Sequence, residues 1–136
     1  VDAPIGRSRT DRRKMGVVPA GRRARTRFTR IARWPAADLL HAELDTGRTH
    51  QIRVHLAHIG HSVVGDATYG AKGPGGISGP AQLWARQLAK RVQRQFLHAA
   101  GLRFAHPRTG VEMAFESPLP PDLAAAAEWA RGGTGG

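Results

Sequence analysis

The chain has no cysteine, which excludes disulfides, cysteine-ligated zinc and thiol catalysis together. Aromatic residues make up only 6% of it, so an apolar core must be rich in alanine and buries modest area per residue. No apolar run approaches the roughly 18 residues of a membrane span, and nothing resembles a signal peptide. A soluble cytoplasmic protein is the expectation. The initiator methionine is missing as well: the sequence opens at Val1, as one part of a larger protein would. Acids are scarce too. Ten Asp and Glu face 21 Lys and Arg, for a formal net charge of +11.

What is present is arginine. Eleven basic residues lie between Arg7 and Arg33, with Asp11 the one acid among them. Such a field concentrates polyanions, and the planar guanidinium fork donates two hydrogen bonds to a single phosphate. Nucleic acid is therefore the expected partner. An acidic membrane would call for an amphipathic helix with bulky apolar residues opposite the charges, and residues 7–33 offer none. A merely solvated basic face is the bland alternative.

At 136 residues the chain is about one domain long. Pro4, Gly6, Gly16, Pro19 and Gly21 punctuate residues 1–22, which read as irregular apart from an edge strand over Met15–Val18. Residues 24–31 read as extended. Residues 38–45 alternate, with Leu40, Ala42 and Leu44 on one face. The two segments form an antiparallel pair joined across Trp34–Ala37.

The period then changes. Ile52, Leu56 and Ile59 recur at helical spacing, predicting a short helix over 50–59 with Thr49 as N-cap and Gly60 closing it. Arg53 lies off that apolar stripe. Residues 70–80 read as a flexible loop. A basic helix follows at about 81–93, with Leu83, Leu88 and Val92 on its apolar side. Residues 96–105 and 111–116 form a hairpin around HPRTG. Asp122 is the expected cap of a last helix, LAAAAEWAR, before a disordered Gly-rich tail at 132–136. The order predicts an α+β fold with an antiparallel or mixed sheet and flanking helices.

The stretch DTGRTHQIRVHLAHIGHSVVGDATYG concentrates the polar chemistry. His50, His55, His58 and His61 invite a metal reading, but zinc needs three or four converging ligands with supporting carboxylates. His50 and His55 fall on different helix faces, so no metal site is expected. Asp66 reads as a turn residue bonding nearby backbone amides. The glycines of 73–79 lack the GxxxxGK[ST] pattern of a phosphate loop, and the few acids contain no defensible general acid and base. Arg48 and Arg53 stand out. Arg48 sits beside the free amides of a helix start, which already favour an anion, and Arg53 is one turn in. Surface arginine is the plain alternative for both.

These residues resemble the RluA-type family of RNA pseudouridine synthases, the ribosomal large-subunit subgroup most nearly. LDTGRTHQIRVHLAHIGHSVVGDATYG is similar to that family's C-terminal motif. VDAPIGRSRTDRRKMGVVPAGRRARTRF resembles its PIGR…DR.KM…GK.A.T.Y segment, with Arg23 in place of the usual Lys and Phe28 in place of Tyr. RQFLHAAGLRFAHPRTGVEMAFESPLPPDL resembles its ending. The likeness spans about residues 1–123.

The resemblance implies the C-terminal part of a catalytic domain over residues 1–131, and conversion of uridine to pseudouridine in RNA without cofactor or metal. It places the family's active-site arginine at Arg53. The family's reacting aspartate lies in an HRLD motif upstream, followed by a base-stacking tyrosine, and neither motif occurs in this sequence. The missing N-terminal part of the same polypeptide would supply them, and the chain alone is expected to be inactive. Phosphate contacts are expected from Arg48, His50, Arg7, Arg12, Arg13, Lys14 and Arg25, with ribosomal RNA the partner and no membrane. The alternative is a non-catalytic RNA-binding module that keeps the basic groove.

Overall fold

A computed structural model of the chain describes residues 1–70 and 78–132. Its elements are β1 (Ile5–Arg7), β2 (Met15–Val17), β3 (Thr26–Arg33), β4 (Asp38–Leu44), α1 (Gln51–His58), α2 (Pro80–Arg91), β5 (Gly101–Ala105), β6 (Glu112–Glu116) and α3 (Pro121–Ala130). The α+β class is as expected. The strands do not form one sheet, however. Among the described residues they pair as three separate antiparallel hairpins, β1–β2, β3–β4 and β5–β6. The chain divides into two compact units, Val1–Gln95 and Phe96–Gly136. Most of the expected flexible loop (residues 71–77) and of the Gly-rich tail (residues 133–136) lies outside the described residues.

In the first unit, residues 1–22 are less irregular than they read. β1 pairs with β2 in register Ile5 to Val17 and Arg7 to Met15. Two three-residue strands carry too few side chains to show an alternation, and Gly6 and Gly16 face each other across the pair. Isolated bridges from Asp2 to Arg25 and from Ile5 to Arg22 bring this hairpin against the start of β3. The core gathers there. Ile5, Ala24 and Val54 are buried, with Met15, Val17 and Tyr69 packed on them.

β3 and β4 pair from Thr26–Leu44 to Arg33–Asp38, with a bulge between Arg30 and Ala32. Their connection is the expected one, and the Trp34 amide donates to the Ala37 carbonyl at 2.9 Å. The Trp34 ring stands 6.5 Å from that of Trp84 on α2. α2 begins with Pro80 in its first turn, where the missing N–H costs nothing. Its buried residues are Ala85 and Leu88, followed by Val92 just past its end, whereas Leu83 is 64% exposed. Leu83 therefore does not belong to the apolar side on which its spacing placed it.

α1 corrects two expectations. Its N-cap is His50, in the left-handed region at φ 55°, and no side chain caps it; Thr49 lies one residue too early. The buried face is Gln51, Val54, His55 and Leu56, while Ile59 is 45% exposed. The stripe Ile52–Leu56–Ile59 was read from apolar residues, but the face turned inward carries Gln51 and His55. Burial of those polar groups is tolerated because each is fully hydrogen-bonded. The C-terminus is as expected. Gly60 at φ 81° donates to Ala57 O at 3.1 Å and His61 N donates to Leu56 O at 2.8 Å, the paired bonds of a Schellman closure.

In the second unit β5 and β6 pair from Gly101–Glu116 to Ala105–Glu112. The HPRTG turn closes through His106 N to Val111 O and Gly110 N to His106 O. α3 buries Leu123, Ala126, Ala127 and Ala130, one helical face. Its N-cap is Pro120, which has no side-chain capping bond, and Asp122 sits in the first turn. A carboxylate there still complements the helix dipole. Proline at the start supplies a fixed φ in place of a cap.

One close crossing sets up the first unit. A β-carbon on Gly21 would lie 2.6 Å from the Ile5 carbonyl carbon and 2.7 Å from its oxygen. Backbone atoms cannot swing aside, so Gly21→Ala should destabilise the chain by about 1–3 kcal/mol in urea unfolding. Gly47→Ala, with nothing within 4 Å, should change it by less than about 0.5 kcal/mol.

Candidate active site

The turn that leads into α1 is folded around one buried amide. Gln51 Oε1 accepts from Arg48 N at 3.0 Å and from Thr46 Oγ1 at 2.6 Å. Its Nε2 donates to Arg25 O at 2.8 Å and Thr26 Oγ1 at 2.9 Å. Both donors and both acceptor positions of the side chain are thereby used. The network continues inward. Thr26 Oγ1 is 2.8 Å from His55 Nδ1, and His55 Nε2 is 2.8 Å from Ala3 O. A carbonyl only accepts, so Nε2 carries the proton toward Ala3. Nδ1 is the ring position that meets the Thr26 hydroxyl. His55 is thus a structural residue joining the N-terminal segment, β3 and α1.

With α1 so anchored, Arg53 projects onto the turn that follows the helix. Its Nε donates to Asp66 Oδ2 at 2.8 Å and its Nη2 to Asp66 Oδ1 at 3.0 Å. The Asp66 side chain has no exposed surface, and that of Arg53 is 11% exposed. Asp66 Oδ1 also accepts the amides of Thr68 at 3.0 Å and Tyr69 at 3.1 Å. The turn reading of Asp66 holds, but it captures half of the residue's work. Burial pushes the Asp66 carboxyl up; the Arg53 hydrogen bonds and the Tyr69 and Thr68 amides outweigh it, and the carboxyl is held below the usual range. The same hydrogen bond raises Arg53 further above its ordinary value. The carboxylate facing Arg53 in this structure therefore comes from within the chain. Arg53 Nη1 has no hydrogen-bond partner among the described residues.

Tyr69 completes the cluster. The Arg53 guanidinium lies 4.9 Å from its ring centre, within the range of a cation–π contact. Its hydroxyl accepts from Met15 N at 3.1 Å and stands 2.8 Å from His50 Nδ1. The His50 and Tyr69 rings meet edge to face at 5.6 Å.

The residues expected to meet phosphate divide into two groups. Arg7 and Arg12 are exposed, with Arg7 Nη1 donating to the Arg12 carbonyl at 3.3 Å. Arg13 is tied to Asp11 at 3.1 Å, and Arg25 lies 3.5 Å from Asp45. Lys14 Nζ donates to Thr68 O at 3.0 Å, bracing the Asp66 turn. Arg48 Nε donates to Arg23 O at 2.9 Å, and His50 is held by Tyr69. Among the described residues no group of three His, Cys, Asp or Glu converges in a way that could hold a metal. None of the helices there is long and apolar enough to cross a membrane.

Sequence reasoning missed Tyr69, Gln51 and the Asp66–Arg53 pair. The pairing spans thirteen residues, across a helix end and a turn, and no spacing rule reaches that far. Gln51 and His55 left a signal, two polar residues at i and i+4 on a helix.

A largely buried arginine is here clamped by a carboxylate and accompanied by exposed cations. Comparison with known proteins makes this specific. A family model for RNA pseudouridylate synthase matches residues 1–58. Ribosomal large subunit pseudouridine synthase D of Nitrosomonas europaea is 46% identical over 92% of the chain, and its Pseudomonas aeruginosa namesake 47% over 90%. The chain covers 34% and 38% of those two proteins, about a third of their length. Among solved structures, Human RNA Pseudouridylate Synthase Domain Containing 1 superposes on 93% of the chain and 51% of its own, with a TM-score of 0.61 and 28% identity. The chain is thus similar to RNA pseudouridine synthases over most of its length and matches a C-terminal segment of them.

Losing the Asp66 charge leaves the largely buried Arg53 without its partner, which costs up to about 3–5 kcal/mol. Asp66→Asn should therefore lower stability by that order at neutral pH. Because the folded carboxyl is depressed, its contribution is complete above the unfolded aspartate range and lost as pH falls through the folded value. Urea midpoints of chain and variant measured from pH 7 downward should converge in acid.

Proposed function

We propose that this chain forms one wall of the active site of an RNA pseudouridine synthase acting on large-subunit ribosomal RNA in the cytoplasm, with the reacting aspartate supplied by a segment outside this sequence. The observation that carries the proposal is Arg53: a largely buried guanidinium, gripped by Asp66 through Nε and Nη2, with Nη1 outside that grip. A donor held in that way suits a second carboxylate. It would keep that carboxylate ionised and fix its orientation.

The reaction needs these two properties. The glycosidic bond from C1′ to N1 breaks, the uracil turns, and C5 joins C1′. An ionised aspartate starts the sequence, by attack on the sugar or by removing its proton. Reaching the base requires extruding it from the RNA stack, which costs a few kcal/mol. Phosphate contacts from exposed arginines offset that cost, and of the residues expected to make them Arg7 and Arg12 are exposed and outside the ion pairs of Asp11 and Asp45.

The chain alone should give no pseudouridine from unmodified ribosomal RNA, since no HRLD motif is present. A chimera joining it to the upstream part of the Pseudomonas aeruginosa relative should be active. Arg53→Ala in that chimera should lower turnover by about 10²–10³-fold or more, with little loss of RNA binding. Turnover by the isolated chain would overturn the missing-aspartate argument. Near-normal activity in the variant would remove Arg53 from the reaction. An inactive chimera that still binds RNA would favour the non-catalytic RNA-binding module.

Salt dependence tests the phosphate side. Arg7→Ala and Arg12→Ala should each reduce the slope of log K against log salt by about one unit. Arg13→Ala and Arg25→Ala should change it less, because Asp11 and Asp45 already partner those side chains. Equal slopes for all four variants would contradict this division.

A further inference from the structure

Several separate contacts meet on Tyr69. Its ring face carries the Arg53 guanidinium at 4.9 Å. Its amide donates at 3.1 Å to Asp66 Oδ1, the same oxygen that accepts Arg53 Nη2 at 3.0 Å. Its hydroxyl is pinned by Met15 N at 3.1 Å and by His50 Nδ1 at 2.8 Å. One residue thus touches the guanidinium, orients the carboxylate that grips it, and is fixed at its far end from β2 and from the start of α1.

The two grips do different things. The fork-to-fork pair with Asp66 fixes which edge of the guanidinium is occupied. The aromatic face beneath it fixes the tilt of the guanidinium plane, and with it the direction of Nη1. Direction matters unusually here. Asp66 cancels the net charge of Arg53, so attraction to a second carboxylate depends on one aimed hydrogen bond more than on a bare positive charge.

We propose that Tyr69 is a positioning residue for Arg53, its ring face setting the guanidinium plane so that Nη1 meets the reacting carboxylate. The role rests on the reading of Arg53 as the active-site arginine; the grip itself does not. Phenylalanine loses the two hydroxyl bonds but keeps the ring packed on the core and its face beside Arg53, whereas leucine removes the face.

The test is proton and nitrogen NMR of the arginine side chains in the full 136-residue chain. The Arg53 side-chain protons should be shifted upfield by the ring and its Nε–H protected from exchange. Tyr69→Phe should retain both signatures and Tyr69→Leu should lose the ring shift. A wild-type spectrum without the upfield shift would overturn the proposal even if the leucine variant fails to fold. Retention of the shift in a folded leucine variant would overturn it as well. An intact signature beside near-normal activity of the Arg53→Ala chimera would instead remove Arg53 from the reaction, and the role of Tyr69 with it, while leaving the grip in place.

Discussion

The Arg53–Asp66 pair is the constraint around which the first unit is arranged. Two charges taken out of water lose several kcal/mol each, and mutual attraction repays this only where geometry is good and the remaining lone pairs are met. The chain meets those conditions locally. The fork-to-fork bonds, the Thr68 and Tyr69 amides and the Tyr69 face are all supplied by α1 and by the turn just after it. Lys14 and Met15 then attach that turn to β2. The cluster therefore fixes the helix end, the turn and the first hairpin to one another.

Behind it lies a second buried network of a different kind. Gln51, Thr26 and His55 form it by side-chain hydrogen bonds without an ion pair, and they connect Ala3, Arg25 and the Thr46–Arg48 turn. This network explains how an eight-residue helix with a partly polar inner face is held. Helices that short are marginal alone, and tertiary contacts must supply their stability. It also accounts for the left-handed backbone at His50, the one non-glycine residue with positive φ among those described. A strained φ of that kind costs on the order of 1–3 kcal/mol and persists where its surroundings over-determine it. Gln51 on one side and Tyr69 on the other do so here.

The sequence disclosed most of the elements and little of the arrangement. The β3–β4 and β5–β6 hairpins were legible because alternation and turn residues are local signals. Gly60 was legible for the same reason, since a left-handed closure selects glycine. The inner face of α1 was not, because periodicity arguments count apolar residues and this face is built on Gln51 and His55. Leu83 misled in the opposite sense, as an apolar residue left exposed. Of the site, Arg53 was reached through family resemblance, and its partner was not reached at all. Asp66 looked like a turn residue because it is one. Its second role depends on where α1 ends, which is a three-dimensional fact.

The proposed active-site wall rests on similarity to RNA pseudouridine synthases, a clamped arginine and exposed cations such as Arg7 and Arg12. A double-mutant cycle on unfolding free energy, with Arg53→Met, Asp66→Asn and the combined variant, tests the central claim that this wall is organised by the buried pair. Strong coupling is expected, with the double variant less destabilised than the sum of the singles by about 2–3 kcal/mol. Additivity within about 0.5 kcal/mol would show that the two residues act independently and would contradict it.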